Sequence, residues 1–156
     1  MKTLITVLLL AVSTIALAER STIVKGNIIT ESQWIEAMPR VASSYSAKLP
    51  SMIDSVTMLM SIRAHEDTFT YVYRLDRAGY SAIIYGEEAE LTQEAINYGK
   101  NIQSEILVNI YCTNPSLKHW RKLGTKLKHV YSDTVGKHIM TINVDPDTDC
   151  PMEGGI

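Results

Sequence analysis

The sequence predicts an α+β domain: an antiparallel sheet of four to five strands built from two αββ-like units, helices packed mainly on one face, and one disulfide. Three observations carry this expectation. Two pairs of runs alternate apolar and polar residues with period two, and each pair is joined by a short turn. A stretch with helical spacing precedes each pair. The chain's two cysteines, Cys112 and Cys150, bracket the second pair.

The chain begins with the pattern of a signal peptide. Met1-Lys2 is a short positive region, the apolar run from Leu4 extends towards Leu17, and Ala16-Leu17-Ala18 fits the small-x-small rule for cleavage. The apolar run is shorter than the roughly 18 residues a membrane span needs. Residues 1–18 are therefore expected to be removed, leaving 19–156 as one domain, and no cysteine follows the cleavage site to take a lipid. The expected location is periplasmic or secreted, with no membrane span after cleavage. The mature chain holds 14 basic against 17 acidic residues. That near balance points to neither a polyanion nor a membrane surface as the main partner.

Ser21 to Thr30 reads as an extended lead-in or a short edge strand. Thr30 and Gln33 have the spacing of a capping box, and a helix over Glu31–Ala47 places Trp34, Ile35, Met38, Val41, Ala42 and Tyr45 on one stripe. Pro39 inside it is expected to bend or split the helix, and Pro50 to end it. Val56, Met58, Met60 and Ile62 form one strand, and Phe69, Tyr71, Tyr73 and Leu75 the returning one, across a turn at Ala64–Asp67.

Asp76–Glu90, with two glycines and the acidic Glu87-Glu88-Ala89-Glu90, reads as a loop, with Ser81–Tyr85 able to add a little strand. A long helix follows over Leu91–Cys112, its apolar stripe assigned to Leu91, Ala95, Tyr98, Ile102, Ile106 and Ile110. Asn114-Pro115 starts a short helix lined by Leu117, Trp120 and Leu123, and Gly124 stops it. Leu127, His129 and Tyr131 alternate, Asp133–Gly136 reverses the chain, and Met140, Ile142 and Val144 alternate back. Tyr71-Val72-Tyr73 and His129-Val130-Tyr131 hold comparable places in the two hairpins.

In an exported protein Cys112 and Cys150 are expected to form a structural disulfide; a reactive pair or a metal site are the alternatives. No Cys-x-x-Cys is present, and His119 and His138 lack ligand spacing, so no metal and no cofactor is expected. Asp54, His65 and His129 are the acid–base candidates, each with a plain structural reading: a turn or cap for Asp54, a surface or sheet position for the histidines. No Gly-x-Ser-x-Gly, His-Glu-x-x-His, P-loop or Gly-x-Gly-x-x-Gly occurs, so no catalytic residues are assigned. Lys118, Arg121, Lys122, Lys126 and Lys128 form a basic cluster around Trp120. In an exported, net acidic protein this suits a solvated face or a docking patch for an acidic partner better than nucleic acid.

The order Leu49-Pro50-x-x-x-Asp54-x-x-Thr57, Tyr71-x-Tyr73, Cys112-x-x-Pro115, Gly124, Tyr131-x-Asp133-x-x-Gly136 and Cys150 resembles a group of small secreted bacterial proteins. The group includes proteins labelled quorum-sensing-regulated virulence factors. The resemblance implies a periplasmic or secreted protein without an established reaction and without catalytic residues to carry over. The expected function is a non-enzymatic interaction protein of the bacterial envelope or secretome, its partner another envelope or secreted protein. Binding would use a sheet edge or the Lys118–Lys128 face. A small hydrolase built on Asp54, His65 or His129, and a small-ligand binder with a Met- and Tyr-lined cavity, are the rival readings.

Overall fold

A computed structural model describes residues 19–86 and 90–151. The expected signal peptide, Glu87 and Glu88 of the acidic loop, and the last five residues lie outside the described residues.

The lead-in is a complete hairpin. β1 (Ser21–Val24) pairs antiparallel with β2 (Asn27–Thr30) as a separate two-stranded sheet. Lys25 and Gly26 turn the chain, both with positive φ, as the tightest two-residue turns require. α1 (Glu31–Ser46) starts on the expected capping box: Gln33 N–H donates to the Thr30 hydroxyl, and the Thr30 N–H to the Gln33 side chain. Pro39 does not split α1, which runs on through it as one helix. Pro39 is exposed, on the solvent side of the helix.

The main sheet has five strands in the order β3 (Ser51–Met52), β4 (Thr57–His65), β5 (Thr68–Leu75), β6 (Lys126–Asp133), β7 (His138–Val144). β4–β5 and β6–β7 are the two expected hairpins, but β5 and β6 run parallel, so the sheet is mixed rather than antiparallel. The reason is the connection between them. A long helical crossover carries the chain back to the end where β5 began, and parallel neighbours need such a crossover. Tyr71-Val72-Tyr73 thereby lies beside His129-Val130-Tyr131 residue for residue.

The segment read as a loop contains α2 (Arg77–Tyr85), which Asp76 caps at the start and Gly86 ends in the left-handed conformation. α3 (Gln93–Thr113) begins at Thr92, whose hydroxyl accepts the Ala95 N–H. A single 3-10 turn, Pro115–Leu117, leads into α4 (Lys118–Lys122), and Asn114 accepts the Ser116 N–H as anticipated for its cap. The short α5 (Pro146–Asp149) follows β7 and delivers Cys150 to Cys112, forming the disulfide.

Two adjoining cores fill the space between the sheet and the helices. One holds Leu75, Tyr131, Met140 and Ile142 against Leu91, Ala95 and Ile96; the other holds Phe69, Leu127 and Val144 against Met38, Ala42 and Tyr111. Both lie on one side of the sheet. The helices therefore pack on one face, as the sequence predicts.

Candidate functional site

The residues singled out in the sequence are placed apart. Asp54 Oδ1 accepts the N–H groups of Val56 and Thr57, both at 2.8 Å, and so holds the turn into β4. His65 stands exposed at the β4–β5 turn, with the Glu66 carboxylate at 3.9 Å. His129 lies buried on β6, under the helices.

The basic residues divide among four settings. Arg121 Nη1 donates to the carbonyls of Tyr111 and Asn114 at the C-terminus of α3, where a cation suits the helix dipole. Lys126 bridges Asp67 at 3.0 Å and Asp145 at 3.8 Å. Lys118 and Lys122 are exposed on α4, while Lys128 belongs to the sheet face opposite the helices. Trp120 is a core residue, stacked on Phe69 at 4.7 Å and tilted against Trp34.

His129 sits in a ladder of rings that the parallel pairing of β5 and β6 creates. It stacks on Tyr71 at 5.0 Å, and Tyr73 stacks on Tyr131 at 4.6 Å. A hydrogen bond of 3.0 Å joins the Tyr73 hydroxyl and His129 Nδ1, and Nε2 has no partner among the described residues. Burial holds the imidazole down at about 4 and pushes the Tyr73 phenol well above its ordinary value. The neighbour of His129 is thus a neutral phenol, where a general base would be oriented by a carboxylate. Among the described residues, no three acids, histidines or cysteines cluster to hold a metal.

Several concave regions flank the helices, and two of them bear on binding. One, of about 450 Å³, lies under the β1–β2 hairpin between α1 and α4, with Trp34, Trp120, Val24, Ile29 and Leu123 in its wall and His119 at its edge. The other, of about 290 Å³, runs between α2 and α3 towards the start of β4. Ile83, Ile84, Ile102, Ile106 and Leu107 line it, with Asp54 at its lip.

The second groove adjoins the feature that sequence reasoning misplaced. Tyr98, Ile102, Ile106 and Ile110, assigned from their spacing to the core, are 60%, 43%, 52% and 50% exposed. Leu91 and Ala95 of the expected stripe are buried, but the buried face of α3 continues through Ile96, Gly99 and Tyr111. Small residues prevail in its first half because α2 approaches closely there: a Cβ on Gly99 would collide with the Tyr80 ring. The two stripes are offset by one residue, about 100° around the helix. α3 therefore presents an apolar ridge about 18 Å long to solvent, and Ile83 of α2, 63% exposed, extends the patch across the groove. Scattered exposed aliphatics are ordinary; a contiguous row beside a groove marks an interaction surface.

No protein-family model matches the sequence, and no curated protein does. Solved structures do share the fold. A candidate secreted protein of Pseudomonas aeruginosa superposes with a TM-score of 0.55 at 13% identity, over 74% of this chain and 88% of that one. EpsS, a pilotin of the Vibrio vulnificus type 2 secretion system, gives 0.53 at 18% identity, over 78% of this chain and 96% of that one. The type II secretion pilotin AspS of Vibrio cholerae gives 0.51 at 13% identity, over 75% and 94%. Likenesses at such identities are of fold alone, and they lend nothing to the virulence-factor resemblance. The α+β architecture of this chain is one also found in two secretion pilotins.

Proposed function

We propose that the protein is an exported, non-enzymatic docking protein of the bacterial envelope, associated with secretion, that binds a segment of a second envelope protein along α3. The observation that carries this reading is the exposed row Tyr98, Ile102, Ile106 and Ile110 beside the groove to α2. Its length and spacing suit an amphipathic helix of the partner, lying with aliphatic residues in the groove. The signal-peptide pattern and the disulfide support an exported location. Likeness in fold to two pilotins supports the link to secretion.

The test is affinity capture from solubilised envelopes with the parent protein and with the Ile102→Glu/Ile106→Glu variant. A partner recovered by the parent and lost by the variant, at equal thermal stability, is the expected result. A partner retained in full by the variant would overturn the α3 reading. The groove under the β1–β2 hairpin favours a second reading, a binder of small apolar ligands, because two tryptophans and three aliphatic residues line it. Quenching of tryptophan fluorescence by such a ligand, undiminished in the α3 variant, would support that reading.

A further inference from the structure

Opposite the helices no described residue outside the strands and their turns covers the main sheet, and the strand positions on that face carry charge of one sign. The pairing registers place Arg63, Thr70, Lys128 and Asn143 in one row across β4 to β7. Four residues further along β5 and β6, Arg74 and Ser132 lie in a second row that ends at His138. Val72 and Val130 occupy the middle, half-buried, and neither belongs to a core cluster. Arg63, Arg74 and Lys128 are exposed and make no hydrogen bond or ion pair among the described residues. No strand position on the face is acidic. The acids nearest in the chain flank the strands and are engaged or at the rim: Glu66 and Asp67 lie in the β4–β5 turn, Asp76 caps α2, and Lys126 pairs with Asp67 and Asp145.

We propose that this face docks the protein on an anionic phospholipid surface. Strand spacing separates Arg63 from Lys128 by about 10 Å, and the rise per residue separates the two rows by about 13 Å. Three cations are thus spread over a broad face, each positioned to meet a different headgroup. The chemistry of the face disfavours other occupants. It has no Phe, Tyr or Trp to stack on a base or a sugar, and its two imidazoles, His65 and His138, stand at its rim. At its centre it has no exposed aliphatic or aromatic anchor of the kind that dominates protein–protein interfaces; Met52, its exposed apolar residue, lies at the β3 rim. What remains is positive charge without a described partner on an open sheet face, which a diffuse anionic plane complements. The chain as a whole is net acidic, so this attraction is local to the face and orients the molecule. Docked this way, the helical layer points away from the lipid and α3 stays accessible. The inference does not depend on the α3 reading.

The test is co-sedimentation of the oxidised protein with phosphatidylglycerol–phosphatidylcholine vesicles and with phosphatidylcholine alone, at low and at raised salt. Phosphatidylglycerol-dependent partition that weakens with salt is expected. Each basic residue near an anionic surface contributes about five-fold, so Arg63→Gln/Arg74→Gln/Lys128→Gln should lose on the order of a hundred-fold. Lys100→Gln/Lys122→Gln, of similar net charge but with both changes off the sheet face, should keep parental partition. The three single variants, each at an exposed position, serve should the triple variant fold poorly. Equal partition on the two vesicle types, or full partition by the triple variant, would overturn the proposal. Binding of soluble polyglutamate without partition to vesicles would also overturn it and assign the face to an acidic polypeptide. Ile102→Glu/Ile106→Glu should partition as the parent does, which separates a failure here from a failure of the α3 reading.

Discussion

Acidification from about pH 8 to about pH 5 drives a proton towards His129, which the fold keeps neutral. An unfolded histidine titrates near 6.5, while burial holds His129 at about 4 in the native state. Between those values the unfolded chain binds the extra proton and the folded chain does not. The contribution is therefore complete above about 6.5 and is lost as the pH falls towards 4. The full difference corresponds to roughly 3 kcal/mol, and about 2 kcal/mol of it should be gone by pH 5. Against a domain stability of about 5–15 kcal/mol this is a large loss. Urea unfolding followed by the fluorescence of Trp34 and Trp120 measures it directly, since both rings pack beside Phe69 in the core. His129→Phe keeps a ring in the stack and removes the titration, so its stability should be nearly flat across the same range, whatever its baseline. Equal parental stability at both pH values, or an undiminished fall in His129→Phe, would refute the assigned role of burial.

Other consequences concern the frame around the sites. The Cys112–Cys150 bond closes a loop with a sequence separation of 38, and replacing both cysteines with serine should cost about 4 kcal/mol on the chain-entropy model; an unchanged urea midpoint under oxidising conditions would contradict that. Asp133 Oδ1 accepts the N–H groups of Val135 and Lys137 in the β6–β7 turn. Asp133→Ala strands both donors and should cost about 1–3 kcal/mol, with faster hydrogen exchange at those two amides; parental exchange rates would show that the turn holds without the carboxylate.

Where local chemistry decides the backbone, the sequence was readable. Thr30 with Gln33, Asn114 with Pro115, and Asp133 with Gly136 each announce a cap or a turn, and each forms it. The signals for α2 were also present, Asp76 at its start and Gly86 at its end, but Gly79 and the acidic run after it mask a nine-residue helix as a loop. Parallel pairing of β5 with β6 has no local signal at all. It follows from where a long crossover returns the chain, and the repeated Tyr71-x-Tyr73 and His129-x-Tyr131 pattern registers it only afterwards.

The site was misread for a different reason. Hydrophobic spacing places Leu91 and Ala95 in the core correctly, and then continues the stripe through the larger residues Tyr98, Ile102, Ile106 and Ile110, which are exposed. Close packing instead turns the buried face through Gly99, whose missing side chain leaves room for Tyr80 of α2. When a helix carries two apolar stripes, periodicity alone does not say which faces the core. The uncovered sheet face was hidden in a similar way. Arg63, Arg74 and Lys128 are far apart in sequence and become neighbours only through strand pairing.

The central claim, that the ridge on α3 is a docking surface, is tested most directly by a photo-crosslinking residue placed at Ile106 in cells. A control position at Thr134, exposed in the β6–β7 turn, probes a surface away from α3. The account predicts one discrete envelope protein joined through position 106, absent from position 134 and lost when Ile102 is changed to glutamate. Crosslinks of equal intensity from both positions, or none from position 106 while the partner still co-purifies, would contradict it.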